Sequence, residues 1–141
     1  MVIISQMTDD DLAQAVAIEK LSFNAPKDEA VFRHDENKYL VAKNDTQVLG
    51  YIGTERIAGE THIINMAVHP DHRNKGIGKQ LLGKALRDDE VAFLEVRVSN
   101  LAAQKIYEHF GFKNIGLRKK YYQDNDEDAF IMKREAIKHN V

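Results

Sequence analysis

The chain has 141 residues, a formal net charge of -2 and no cysteine. With a 43% hydrophobic share, that length suits a single domain over residues 1–141 with one core of ordinary size. The charge excludes a nucleic-acid-binding surface built on bulk positive charge. The absent thiols exclude a disulfide scaffold, cysteine-ligated zinc and an enzyme thiol that carries an acyl group.

Val2 to Met7 predicts a first strand. Thr8 is a good N-cap, and Asp9, Asp10 and Asp11 follow in a first turn where acidic side chains suit the helix dipole. Leu12, Ala15, Val16, Ile18 and Leu21 recur at helical spacing, and Asn24-Ala25-Pro26 breaks the helix after Ser22 or Phe23. Lys27 to His34 predicts a short second helix. Lys38 to Ala42 and Gln47 to Arg56 read as strands around a turn at Lys43 to Thr46, with Gly50 and Gly53 marking close packing or a bulge. Ala58-Gly59-Glu60 turns the chain into Thr61 to Val68, which completes an antiparallel meander. Its run Ile63, Ile64, Met66, Ala67 and Val68 reads as buried, and His69-Pro70 ends it.

A helix starts near Gly76, with Ile77, Leu81, Leu82, Ala85 and Leu86 on one face, and ends in the polar run Arg87 to Glu90. Val91 to Val98 is a strand. Ser99-Asn100 starts a helix carrying Ala103, Ile106, Tyr107 and Phe110, closed by Gly111. Phe112 to Leu117 and Ala129 to Arg134 are the last strands, with Arg118 to Asp128 between them as a connection. The order predicts an α/β domain on a mixed, largely antiparallel central sheet flanked by helices. No apolar run reaches membrane length, and the first residues lack the pattern of a secretory signal, so the expected location is the cytoplasm. The histidines (34, 62, 69, 72, 109, 139) are scattered. His69 and His72 read as solvated loop residues, and no metal site is expected.

Between the buried strand and the central helix lies Arg73-Asn74-Lys75-Gly76-Ile77-Gly78-Lys79. Glycines at a helix start let a phosphate approach free backbone N–H groups and the positive helix end. The stretch is neither a dinucleotide fingerprint nor a Walker loop: Arg73 stands at the first glycine position, and Gln80 stands where Ser or Thr would hold magnesium. Those residues alone divide evenly between a phosphate loop and a plain surface turn.

The pattern R-x-x-G-x-G after a strand ending in A-V-x-P resembles the pyrophosphate loop of the GNAT superfamily of acetyl-CoA-dependent N-acetyltransferases. Leu94 to Phe112, LEVRVSNLAAQKIYEHFGF, resembles a second signature of that superfamily. With Arg118-Lys119-Lys120-Tyr121-Tyr122 and Glu127 to Met132, it resembles the ribosomal-protein-alanine N-acetyltransferases of the RimI type from about Ile63 to Met132. The match is loose before residue 60. The resemblance implies a GNAT-like fold and acetyl-CoA as cosubstrate. It implies Arg73, Asn74, Lys75, Gly76, Ile77, Gly78 and Lys79 at the pyrophosphate. Met66, Ala67 and Val68 would meet the pantetheine arm through backbone groups, their side chains serving as core, and Asn100 would touch the coenzyme by its side chain. It also implies Glu95 as general base, acting directly or through water, and Tyr107 as the acid that protonates the departing thiolate. Each catalytic residue has a plainer reading beside this one. Glu95 shares a strand face with Phe93 and Arg97 and so could form a surface ion pair with Arg97; Tyr107 could be core packing, and Asn100 a helix cap.

The acceptor implied is a protein N-terminus, first a ribosomal protein beginning with alanine. An α-amine has a pKa of about 7.7–8.0 against about 10.4 for lysine, so far more of it is uncharged near neutral pH. Phe23 to Glu29 and Arg118 to Asp128 are the expected acceptor walls, and the acidic run Asp124 to Asp128 is either a solvated loop or an attractor for a basic peptide. Two departures from the RimI pattern fall on this side: Lys27 follows Pro26 where that type commonly has Trp, and the connection after Tyr121-Tyr122 is short and lacks a glycine. Two other readings use the same scaffold. A small-molecule amine acetyltransferase (polyamine, amino acid or antibiotic) is disfavoured by the signature and the tyrosine pair, and a non-catalytic acetyl-CoA sensor by the intact Glu95 and Tyr107.

Overall fold

The computed structural model describes residues 1–137, so His139 lies outside the described residues. The strands are β1 (Ile3–Gln6), β2 (Lys38–Asn44), β3 (Gln47–Ile57), β4 (Glu60–Val68), β5 (Ala92–Arg97), β6 (Lys113–Tyr122) and β7 (Glu127–Arg134). The helices are α1 (Asp9–Ser22), α2 (Glu29–His34), α3 (Ile77–Ala85) and α4 (Leu101–His109). The strands form one seven-stranded sheet in the order β1-β2-β3-β4-β5-β7-β6. β4 and β5 run parallel, whereas β1–β2, β2–β3, β5–β7 and β6–β7 are antiparallel. This is the mixed, largely antiparallel sheet expected, and the elements follow in the expected order. No helix among the described residues is long and apolar enough to cross a membrane.

The chain gathers into two compact units. The first comprises Met1–Glu55 and Ile64–Ala85. Its core joins Leu12, Ala15 and Ile18 of α1 to Phe32, Val41, Val48, Tyr51 and Ala67. Thr8 is the N-cap of α1, and its N–H donates to the Asp11 carboxylate at 2.9 Å. α2 starts at Glu29, two residues after the expected Lys27, because Asp28 takes the cap and accepts from the Val31 N–H at 3.0 Å. A Cβ on Gly50 would lie 2.8 Å from the Ala67 carbonyl oxygen, so that glycine marks close packing, and it also borders a bulge: the register slips from Ala42–Gly50 to Lys43–Val48, leaving Leu49 of β3 as the extra residue. His69-Pro70 ends β4 as expected, and a short 3-10 turn over Pro70–His72 follows.

The second unit comprises Arg56–Ile63 and the chain from Leu86 onward. β5 alternates: Ala92, Leu94 and Val96 are buried, and Phe93, Glu95 and Arg97 are half-buried. Leu94 faces Met132, Glu95 faces Ile131 and Arg97 faces Ala129 across the β5–β7 ladder. Tyr107 packs edge-on to Phe112 at 5.9 Å between ring centres, and Gly111, at φ 92, closes α4.

Two expectations are corrected. Arg118 to Asp128 is not a loop. β6 continues to Tyr122 and β7 begins at Glu127, leaving only 123–126 as a turn. β7 pairing carries the strand on, with Arg118 opposite Ala129 and Tyr122 opposite Glu127. A register shift between them places Lys120 at φ 50, its N–H donating to Asp128 at 2.8 Å. Nor is β4 buried throughout. Its pairing with β5 covers Thr61 to Ile63. Beyond that, Ile64 is 46% exposed, and Met66 and Val68 are half-buried while Ala67 is covered. The side chains of Met66 and Val68 are therefore not wholly core.

Candidate active site

In the first unit, β4 delivers the chain into an exposed loop, Arg73 to Gly76, and then into the buried first helical residues Ile77 and Gly78. Asn74 has φ 63 and Gly76 has φ 80, so alternate backbone groups turn to one side as in an anion-binding nest. A Cβ on Gly76 would meet nothing within 4 Å, so its side is open and only its backbone conformation restricts it. The Gln80 N–H donates to the Gly76 carbonyl at 3.1 Å. The N–H groups of Ile77, Gly78 and Lys79 therefore precede the first intrahelical bond, as helix geometry requires. Lys75 and Lys79 are exposed beside them. Arg73 folds back instead: its Nε donates to the Val68 carbonyl at 3.0 Å, and Nη2 lies 3.4 Å from the Ser22 hydroxyl. That contact fixes the loop to the end of β4 and to α1. In the turn before this loop, His69 Nδ1 accepts the Asp71 N–H at 3.1 Å, and the His69 and His72 rings meet at 5.6 Å.

In the second unit, Glu95 is 30% exposed, with Arg118 Nε at 3.3 Å from its Oε1. The Glu95–Arg97 pair weighed from the sequence is not the one formed, because Arg97 turns to Asp124 at 2.9 Å and Glu127 at 3.2 Å. Burial, and next the Glu95 carboxylate, raise the pKa of the Tyr121 hydroxyl, while Arg118 opposes them, so Tyr121 stands within the field of both. Burial pushes the Tyr122 hydroxyl up to about 12, against the lowering effect of Arg97. Tyr107 is buried on α4, and burial first, then Tyr122, pushes its hydroxyl up, so the proton stays on the oxygen through the neutral range. Asn100 caps α4, its side chain accepting the Ala103 N–H at 3.1 Å. β5, α4 and the β6–β7 hairpin thus bring Glu95, Tyr107 and the two tyrosines into one neighbourhood. The acidic run there is largely engaged: Asp124 and Glu127 by Arg97, and Asp128 by the Lys120 N–H.

Comparison with known proteins gives the family. Residues 5–112 match the model of the acetyltransferase (GNAT) family. The chain belongs to the GNAT family. A Bacillus subtilis relative, named as a candidate [ribosomal protein bS18]-alanine N-acetyltransferase, is 37% identical over 92% of this chain and 92% of its own. The Escherichia coli [ribosomal protein bS18]-alanine N-acetyltransferase is 32% identical over 92% of this chain and 94% of its own. The crystal structure of the Escherichia coli ribosomal-protein-S18-alanine N-acetyltransferase superposes with a TM-score of 0.86 at 30% identity, covering 99% of this chain and 97% of that one. This GNAT chain is an acetyl-CoA-dependent N-acetyltransferase.

Sequence reasoning missed a buried polar cluster in the first unit of this GNAT domain. Glu19 is 2% exposed on α1. Its carboxylate accepts from the Tyr51 hydroxyl, from Asn65 Nδ2 at 2.7 Å and from the Lys27 N–H at 2.9 Å. One signal was available: Glu19 falls four residues after Ala15 and seven after Leu12, on the apolar stripe of α1. Lys27, the departure from the RimI pattern, is also packed. Its Nζ donates to the Tyr39 hydroxyl at 2.7 Å and lies 4.5 and 5.0 Å from the Phe32 and Tyr39 ring centres. Burial lowers its pKa, with Glu19 and Asp35 opposing.

Proposed function

We propose that this chain acetylates the N-terminal α-amine of a protein, first a ribosomal protein that begins with alanine. One observation carries the reading: Glu95 on β5 and Tyr107 on α4 stand beside Tyr121-Tyr122 in a chain whose relatives over 92% of its length are named for alanine N-acetylation of ribosomal protein bS18. Residues 1–141 act as one N-acetyltransferase domain, working in the cytoplasm, where ribosomal proteins are made. No metal takes part.

The loop residues fit the cosubstrate. The nest at Asn74 and Gly76, the N–H groups of Ile77 to Lys79 and the exposed Lys75 and Lys79 would hold the pyrophosphate of acetyl-CoA. Met66, Ala67 and Val68 lie past the last β4–β5 pair, where their backbone groups would take an extended arm as an added strand. The Asn100 side chain would contact the coenzyme in addition to capping α4. The cosubstrate supplies the acetyl thioester. Glu95, directly or through water, takes the proton that the attacking amine loses, and the Tyr107 hydroxyl gives its proton to the departing sulfur. Positioning supplies much of the remaining rate.

The test compares kcat/KM for an alanine-starting basic peptide, its N-terminally blocked twin with an internal lysine, and spermidine. The free peptide is expected to be preferred. Preference for the blocked twin would make the enzyme a lysine acetyltransferase, and preference for spermidine a small-molecule enzyme. Binding of acetyl-CoA without turnover of any amine would make it a sensor.

A further inference from the structure

We infer that Arg97 is a positioning residue: it clasps the tip of the β6–β7 hairpin to the end of β5 and so sets the acceptor wall against the first turn of α4. The inference rests on the reading of this hairpin as an acceptor wall. Arg97 Nη1 donates to Asn125 Oδ1 at 3.1 Å and to Glu127 Oε1 at 3.2 Å. Nη2 donates to both Asp124 oxygens, at 3.1 and 2.9 Å. The guanidinium also lies 3.9 Å from the Tyr122 ring centre. One planar fork thus holds the turn on both sides and the last tyrosine of β6, a geometry that a point charge does not reproduce.

The sequence around it makes room. Arg97 faces Ala129 on β7, and that small side chain lets the guanidinium lie along the sheet toward the turn. The side chains of Arg97, Asp124 and Glu127 are 24%, 12% and 14% exposed, so this is not a solvated surface pair. Glu127 carries the clasp onward: its second oxygen accepts the Ser99 N–H at 2.9 Å. Gln104 of α4 returns the contact, its Nε2 donating to the Arg97 and Val98 carbonyls at 3.0 and 3.1 Å. Tyr122, stacked on Arg97, is also the residue whose charge would act on the Tyr107 hydroxyl. Without Arg97, two carboxylates at the turn lose their common cation and the hairpin tip loses its anchor.

The experiment compares wild type with Arg97→Gln and Arg97→Lys by peptide KM, acetyl-CoA Kd, melting temperature and amide exchange. Arg97→Gln is expected to raise the peptide KM at least tenfold. It should also speed exchange at Lys120 and Glu127, whose N–H groups are bonded within the hairpin. Acetyl-CoA Kd should stay within twofold, with little change in melting temperature. Arg97→Lys, which keeps the charge without the fork, should recover part of the peptide affinity. Unchanged exchange overturns the clasp. Faster exchange with an unchanged KM overturns the positioning role, as does a KM that rises in step with Kd and with loss of thermal stability. Where wild type prefers another amine, that amine replaces the peptide. The preference then judges the acceptor reading, and the wild-type-to-variant ratio judges Arg97.

Discussion

On the proposed mechanism, Glu95 and Tyr107 would divide the chemistry by environment. Glu95 stands half-buried on β5 beside Arg118, and Tyr107 is buried on α4 with its proton held firmly. Glu95→Gln keeps the shape and removes the proposed base, so kcat should fall by roughly 10²–10⁴ at saturating substrates. Tyr107→Phe keeps the packing on Phe112 and removes the hydroxyl. Single-turnover kinetics should show slower acetyl transfer, with acetyl-CoA affinity and melting temperature close to wild type. Wild-type turnover in both variants would leave positioning alone as the source of rate. Glu127 gives a pH prediction at the same scale. The Ser99 hydroxyl and N–H, with Arg97 and Asn125, hold its carboxyl down to about 2, against the raising effect of desolvation, from the ordinary glutamate value of 4.5. A depressed folded pKa stabilises above the unfolded value. That contribution is complete above about pH 4.5, shrinks as pH falls, and is gone below about 2. Denaturant titrations of wild type and Glu127→Gln should therefore differ in slope between these limits, wild-type stability falling more steeply with acid. Parallel slopes would show that Glu127 is not held in this way.

Among the elements, the β4–loop–α3 unit makes the sharpest prediction. Gly76 has φ 80 with open space on its Cβ side, and Asp tolerates such backbone better than most residues. Gly76→Asp should fold and yet weaken acetyl-CoA binding at least tenfold, because a carboxylate would then sit beside the anion nest. Calorimetry giving an unchanged Kd in a folded variant would remove the basis for placing the pyrophosphate there. The β6–β7 hairpin illustrates what local sequence hides. RKKYYQDNDED carries turn-forming acids and amides and no alternation of apolar residues, so it reads as a loop. Pairing to β7, capture of Asp124 and Glu127 by Arg97, and the Lys120–Asp128 bond make it mostly strand. Lys27 is similar. A lysine after Pro26 looks like a free acceptor-side cation, but Phe32, Tyr39 and Asp35 enclose it.

At the scale of the whole molecule, the polar centre of the first unit carries the stability prediction. Glu19→Ala would take the acceptor from the Tyr51 hydroxyl and the Lys27 N–H, while the Asn65 amide keeps its 3.2 Å bond to the Tyr51 oxygen. Each buried donor left unpaired costs roughly 1–3 kcal/mol. Chemical denaturation should show a loss of at least that size, and a neutral result would mean that water replaces the carboxylate without penalty. Element order, fold class and the residues of both signatures were legible without coordinates. Periodicity marks faces, glycine, proline and capping residues mark ends, and all of these act within a few residues of chain. Tertiary structure alone decided that Arg118 pairs with Glu95, that Arg97 takes the hairpin acids, and that Glu19 meets Tyr51, 32 residues away. Several charged groups compete for each partner, and local spacing does not rank them. The register of β5, β7 and β6 and the path of α1 over β3 set which of them come within bonding distance.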